Sequence, residues 1–480
     1  MSNLHSSNTK SMYKAFNEYL SKCAEVIKRP DGGSSHIIFS EEAFPQDRVK
    51  ELEVSKEFEI LVNETRKRYG GQYHGKSEWG YKEAVKNFFR RSGFYVSIYD
   101  EAPLSAEGFS HYKKAFESES VCITYLALME GVEFTQKING ITHPKKIIDI
   151  GHFQIRKFSK EELDSLVNNR IRSIFYPFSK IDTKMLSKYW FIVYTANEEM
   201  ERIGEIKVDM SGCIKREYSS LLPAIESLLH EVILFSWEEN PPNKDPEWFF
   251  PFNIPFVLQI KDNPILRPTP LPYFRPDLLP VLDSTGMEIG EEPQVWIEME
   301  EDISDKFIAF VKRIHDLLNI VCEVSNKEDG KYRFIERASG YLVKAFTSET
   351  NLEQLIWHIA VLEALFGQTQ ATKSNIAKAV KTLFGTEKEG KFKELYQIRS
   401  DYIHGNEIKN EIFFTHPREA RILSRKSLNW FLKLLEIVSS KCFPNRNEIL
   451  ALINNRESLE HLKILIELLP PDFPILKIEH

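Results

Sequence analysis

In the last third of the chain, apolar positions recur with helical spacing. Leu355, Ile359, Leu362 and Phe366 fall four, three and four residues apart, which places one apolar stripe along a helix over Asn351–Phe366. Thr350 and Glu353 at its start form a capping-box signature. The same pattern predicts helices over Ile303–Val324, Lys331–Phe346, Asn375–Phe384, Lys391–His404 and Arg418–Ser440, and a last pair near Arg446–Leu469. Such a series describes an all-α bundle packed on its own core.

The first half reads differently. A helix is predicted from Ser11 to about Ile27. Runs rich in β-branched and aromatic residues follow at His36–Phe39, Tyr95–Tyr99, Val121–Leu128, Lys146–Phe158 and Tyr189–Thr195, and are read as strands. Ser159 and Glu162 form a second capping box, opening a helix to about Asn169. Eleven of the 23 prolines lie between Pro241 and Pro280, a density that excludes a regular helix or a central strand there. The aromatics in that stretch (Trp248, Phe249, Phe250, Phe252, Phe256, Tyr273 and Phe274) imply a connection packed onto a surface, since a free linker is more polar. The fold class expected is therefore α+β. Residues 1–240 form a mixed α/β or β-rich domain, 241–295 a proline-rich packed connection, and 296–480 a helical domain.

Composition narrows the class. With 42% hydrophobic and 28% charged residues the chain is that of a soluble globular protein. No apolar run is long enough to span a bilayer, and the first ten residues lack the apolar core of a signal peptide. The five cysteines (Cys23, Cys122, Cys213, Cys322 and Cys442) are too far apart for paired metal knuckles and give no disulfide framework. They are expected to be buried small hydrophobes in a reducing cytoplasm. The net charge of −7 argues against a broad surface that coats nucleic acid. It is uneven: residues 331–480 hold 22 Lys and Arg against 18 Asp and Glu, whereas the first 330 hold 41 against 52.

The chemistry-bearing segment is Leu395-Tyr-Gln-Ile-Arg-Ser-Asp-Tyr-Ile-His-Gly405. It reads as the end of a helix supported by Leu395, Ile398 and Tyr402, carrying Arg399, Ser400, Asp401 and His404, and stopped by Gly405 in a left-handed cap. An imidazole can move the proton of a 2′-hydroxyl or a leaving oxygen near neutral pH. A guanidinium can hold a phosphate and stabilise the charge that builds on it. That pair needs no metal, and neither a metal ligand set nor a cofactor motif is evident. Residues five apart on a helix are offset by roughly 140°, so one copy of the segment does not by itself close a site. The plain alternative is that both residues are helix-end cations facing the negative end of the dipole.

The same arginine-to-histidine spacing occurs at Arg456–His461, and Arg68–His74 is one residue longer. The former is interleaved with Glu457 and Glu460, as on a solvated face, and the latter straddles Gly70-Gly71. Glu363 is the acidic residue in an otherwise apolar stretch. It is read either as the counter-ion of Arg399 or as an exposed edge of its stripe. Ser400 and Asp401 either align substrate and Arg399 or are merely exposed. Arg418, Arg421 and Arg425 share one helix face, which is read as RNA-backbone contact or as a plain solvated face. His358 is read as a packed core histidine. Gly385 to Phe392 matches the first positions of a phosphate-binding loop, but Phe392 stands where a hydroxyl must ligate magnesium, and a helical run precedes it.

The segment around Arg399 and His404, together with the helix Asn351–Gly367 upstream, resembles the Apea-like branch of the HEPN ribonucleases. Residues 147–158 resemble regions that often accompany such domains. The resemblance implies a helical HEPN domain that dimerises, with a composite site in which Arg399 and His404 from two copies meet. Ser400 stands at a position where Asn, Asp or His is more usual in the family. It implies a cytoplasmic, metal-independent endoribonuclease that leaves a 2′,3′-cyclic phosphate, of a phage-defence or abortive-infection type. Host RNA, tRNA included, is the expected substrate, and the N-terminal domain is expected to sense an unknown trigger. The alternative is a non-catalytic HEPN dimerisation or ligand-binding module in a larger assembly.

Overall fold

The structure, a computed structural model, describes residues 2–27, 44–69, 78–100, 107–139, 141–145, 147–177, 181–199, 222–235, 252–269, 278–327, 332–348, 350–368, 372–406, 416–437 and 445–455. The chain opens with helices α1 (Ser2–Val26), α2 (Gln46–Leu52), α3 (Lys56–Tyr69), α4 (Glu78–Arg91), α5 (Phe94–Tyr99) and α6 (Gly108–Glu117). Strands β1 (Ser120–Met129), β2 (Gly131–Ile138), β3 (Ile141–Pro144), β4 (Ile147–Asp149) and β5 (Gln154–Lys157) follow. Next come α7 (Lys160–Val167), α8 (Asn169–Phe175), α9 (Thr183–Leu186), β6 (Trp190–Glu199), α10 (Pro223–Val232) and β7 (Val257–Lys261). Strands β8 (Leu278–Leu282), β9 (Glu288–Pro293) and β10 (Val295–Met299) precede α11 (Glu301–Lys327), α12 (Arg333–Phe346) and α13 (Asn351–Phe366). The last helices are α14 (Thr372–Phe384), α15 (Thr386–Ile403), α16 (His416–Ile437) and α17 (Arg446–Asn454). The fold is α+β. Among the described residues no helix is long and apolar enough to cross a membrane.

The chain divides into two compact units that are not contiguous in sequence. The first comprises Met1–Leu128, Arg156–Cys213 and Phe256–Pro276, and the second Met129–Ile155, Ile214–Pro255 and Asp277–His480. The expected boundaries near 240 and 295 divide the chain differently from these units. The chain returns to the first unit through β7, which pairs antiparallel with β1, Ile123 facing Lys261 and Ala127 facing Val257. β7 fits between Pro255 and Pro264 without containing a proline and lies at an edge of its sheet, in keeping with the exclusion of a central strand from this stretch. Phe252 and Phe256 are buried as expected, while the other aromatics named there lie outside the described residues.

The first unit is built on aromatic packing. Phe16, Tyr19, Phe58, Phe88, Phe89, Tyr95, Tyr112 and Phe116 are all essentially inaccessible. Two of the buried hydroxyl contacts close within this cluster: Tyr19 Oη lies 2.6 Å from Tyr95 Oη, and Tyr112 Oη 2.6 Å from Thr65 Oγ1. Tyr95–Tyr99, expected as a strand, is inside α5. Gly93 at φ +78° ends α4, and the aromatic cluster then holds Phe94, Tyr95, Val96 and Tyr99 in a buried helical turn. Packing here overrides local β preference. Val121–Leu128 and Tyr189–Thr195 do form strands, within β1 and β6, and Lys146–Phe158 forms β4 and β5 around a turn. The His36–Phe39 run lies outside the described residues. Ser159 caps α7 as expected, its hydroxyl accepting from Glu162 N–H at 3.1 Å while Glu162 accepts from Ser159 N–H at 2.8 Å.

In the second unit β2 pairs in parallel with β10 and antiparallel with β3. Its larger part is a helical bundle. The buried faces of α12 (Ile335, Leu342, Val343), α13 (Leu355, Ile359, Leu362) and α16 (Leu428, Phe431, Leu435) supply its core. α15 adds Phe392, Leu395 and Ile398 at helical spacing. Of the described cysteines only Cys23 is buried, where desolvation pushes its thiol up to about 12; Cys122 is half-buried and Cys322 exposed. Cys213 and Cys442 lie outside the described residues.

Candidate active site

The motif sits on the last turn of α15 and on a cap that follows it. His404 is the cap residue, and its N–H donates to Ser400 C=O at 3.0 Å. Gly405 adopts φ +72°, the left-handed conformation expected of it. Gly405 N–H donates to Tyr402 C=O at 3.0 Å and Asn406 N–H to Asp401 C=O at 2.8 Å, the paired bonds of a Schellman ending. Asp401 secures the same turn with its side chain, accepting from Gln397 Nε2 at 3.0 Å and Asn406 Nδ2 at 3.1 Å. Its carboxylate therefore serves as a brace for the helix end that carries His404. The imidazole is exposed, and among the described residues no side chain hydrogen-bonds it.

Arg399 lies one turn earlier and is half-buried. Its Nη2 reaches Glu363 Oε2 on α13 at 3.4 Å, with the two side chains 25% and 26% exposed. The structure thus brings together the acidic residue and the arginine that the sequence left open. Arg399 Nε is buried, and among the described residues no group accepts from it. The guanidinium lies 5.7 Å from the ring centre of Tyr396, and Lys373 Nζ lies 5.6 Å from the same ring. Burial, and next the Glu363 carboxylate, push the Tyr396 phenol up. Tyr396 and Lys373 were not picked out from sequence. The signal for Tyr396 was its place three residues before Arg399, on the same face.

Glu363 is itself fixed through its backbone. Its carbonyl accepts from Gly367 N–H at 2.9 Å and from Arg446 Nη2 at 3.1 Å, so Arg446 closes the end of α13. A Cβ at Gly367 would meet that carbonyl oxygen at 2.5 Å, closer than such atoms approach. Gly367→Ala is therefore expected to destabilise the second unit by about 2–3 kcal/mol through overpacking. Urea unfolding checks this, and an unchanged midpoint would refute the close-packing argument.

Several expected residues are elsewhere in kind. Tyr402, expected to support the helix, is 44% exposed, because it lies past the last buried turn at Ile398. Arg421 and Arg425, expected on a face open to RNA, are only 5% and 2% exposed. α16 runs through the bundle, so that face is interior and only Arg418 of the three is half-buried. His358 is fully buried, with Nδ1 3.0 Å from Ser424 Oγ, as a packed core histidine. The phosphate-loop match is the start of α15: Gly385 is its N-cap residue and already accepts from Glu389 N–H at 3.2 Å. Residues 386–392 are helical, so no glycine-rich loop leads into the helix at this point.

Among the described residues the motif gathers no set of metal ligands. The sequence offered no metal site at all, yet the structure brings His152, Glu231 and His315 together in the second unit. No family model matches the chain, and neither a curated protein nor a solved structure does.

Proposed function

We propose that the protein is a metal-independent endoribonuclease of the HEPN type, with Arg399 and His404 as its catalytic pair. The observation that carries this reading is the state of those two side chains. His404 stands exposed on a capped helix end, and Arg399, one turn earlier and half-buried, is held by Glu363. The imidazole then transfers the proton of the 2′-hydroxyl or of the leaving oxygen. The guanidinium neutralises the pentacoordinate phosphate, and a 2′,3′-cyclic phosphate is left. Ser400 and Asp401 position the pair, Asp401 through the helix-end turn.

The enzyme acts as a homodimer, because one helix end presents the two groups far apart in angle. Tyr402 and Ile403, 44% and 49% exposed beside His404, are apolar surface that a second copy would cover. The protein works in the cytoplasm in a phage-defence role, held inactive until a trigger reaches the N-terminal part. RNA, tRNA included, is the substrate.

The test is growth of cells that express wild type, Arg399→Ala or His404→Ala, with and without phage, with RNA sequenced for cyclic-phosphate ends. New ends and growth arrest or protection with wild type alone are expected. Identical behaviour of three folded, equally abundant proteins would refute the reading. The second reading is a non-catalytic HEPN module for dimerisation or ligand binding. The Arg399–Glu363 pair and the Asp401 brace favour it, since both are contacts that a purely structural helix end would make. Phenotype without cleavage in the same experiment selects it.

A further inference from the structure

Three side chains far apart in sequence converge within the second unit. His152 lies in the turn between β4 and β5, where Gly151 takes φ +95° and donates its N–H to Asp149 Oδ1 at 2.8 Å. Glu231 is on the last turn of α10, and His315 is on α11. Glu231 Oε2 is 2.8 Å from His152 Nε2, and Glu231 Oε1 is 2.6 Å from His315 Nδ1. One ligand atom from each residue lies within 4.8 Å of the others. The two imidazoles stack with ring centres 3.7 Å apart and planes 21° apart. They therefore present their edges to the carboxylate side by side.

We infer that His152, Glu231 and His315 form a binding site for a divalent transition-metal ion of the zinc class. Two imidazole nitrogens and one carboxylate are the donor set such ions take when a position is left for water. The exposures fit that arrangement. The Glu231 side chain is 5% exposed, whereas those of His152 and His315 are 22% and 33% exposed, so the remaining position faces solvent. Bonds of about 2.0–2.1 Å in tetrahedral geometry set neighbouring donors about 3.3 Å apart. The two carboxylate–imidazole separations, each to a different oxygen, must open by about 0.5 and 0.7 Å, and the stacked rings must splay apart so that both lone pairs converge on the ion.

Charge is compatible with this. Glu231 is a nearly buried carboxylate, which needs a positive partner. One protonated imidazole would be such a partner in a plain hydrogen-bond network, and a bound cation would be another. A divalent ion supplies it with both rings neutral. His315 is also oriented as a ligand is: its other nitrogen, Nε2, lies 3.0 Å from the side-chain amide of Asn319, one turn on along α11. With the amide turned to offer its oxygen, Asn319 accepts the Nε2 proton and directs the Nδ1 lone pair at the ion. None of the three ligands belongs to the Arg399–His404 site, and the inference does not depend on the proposed ribonuclease activity.

The experiment titrates the untagged full-length protein with Co²⁺ after chelator stripping, reading the visible d–d absorption. One Co²⁺ per chain is expected, with the spectrum abolished by added Zn²⁺. His152→Ala and His315→Ala should each weaken binding by about 100-fold or more, and Asn319→Ala by about 10-fold. Glu231→Gln is a further variant, but its burial endangers folding, so the partly exposed His152 carries the decisive test. Absence of a stoichiometric Co²⁺ spectrum in wild type would overturn the inference. So would an unchanged spectrum in folded His152→Ala and His315→Ala. A hydrogen-bond network alone predicts lower thermal stability in these variants with no Co²⁺ binding in any of them, and that result also overturns it.

Discussion

His404→Ala is expected to lower RNA cleavage by the activated protein by about 10³-fold, within the range a positioned acid or base supplies. That loss corresponds to about 4 kcal/mol of barrier. The fold should not feel it. The imidazole is exposed, the Schellman ending is made by backbone groups, and Asp401 braces the turn without touching the ring. Stability should therefore change by no more than about 0.5 kcal/mol. Arg399→Ala should cost about 10²–10³ in rate, as for removal of one donor to a transition-state oxyanion. Glu363→Gln keeps the shape but removes the charge that steadies Arg399. It should lower the rate by less than Arg399→Ala does. An RNA with a single 2′-deoxy residue at the cut site should resist cleavage, because the attacking hydroxyl is gone. Single-turnover rates on synthetic RNA check all four. Cleavage within threefold of wild type by His404→Ala, or cleavage of the 2′-deoxy substrate, would end the assignment.

The sequence revealed most where one face of a helix is buried along its whole length. The stripe Leu355, Ile359, Leu362 and Phe366 placed α13 with both ends correct, because the cap at Thr350 and the stop at Gly367 agree with it. The helix end at Gly405 was equally legible, since only a left-handed residue closes that turn. In the first unit the pattern misled at Tyr95–Tyr99. Residues buried on nearly every side carry no period, so composition alone suggested a strand. The arginines of α16 show the reverse error. Arg418, Arg421 and Arg425 do share a face, but periodicity does not say whether that face points to water or into the bundle.

The two clusters differ in the same way. Arg399, Ser400, Asp401 and His404 are neighbours in sequence, so their grouping is visible before any fold is known. His152, Glu231 and His315 are separated by 79 and 84 residues, and no spacing rule connects a turn to two helices that far along the chain. Only the fold brings them together. The pairing of Glu363 with Arg399 lies between these cases. One apolar stretch interrupted by a single acid signals a partner, and the packing of α13 beside α15 identifies it.

Acid should destabilise the second unit through two histidines, the buried His358 and the half-buried His230. Burial lowers the pKa of His358 well below the ordinary value, and the nearby Arg421 and Arg425 cations lower it further. Burial also lowers His230 to about 4, against a smaller opposing effect from Ser339. In the unfolded chain both rings take up protons near pH 6.5. Below that pH the unfolded state binds more protons than the folded state, so stability is fully present above about pH 6.5 and falls as pH drops. For His230 the loss between pH 6.5 and 4 is at most about 3 kcal/mol, and His358 adds to it with the same sign. Glu231 works in the opposite direction, since burial raises its carboxyl even after its two histidine partners lower it. Its effect is to soften the slope. Urea midpoints measured from pH 7.5 down to 4.5 should fall steadily in wild type. His358→Gln and His230→Gln should each flatten the curve, whatever their stability at pH 7.5. A midpoint that holds or rises toward pH 4.5, or full wild-type slope in both variants, would show that these rings are not kept neutral by the fold.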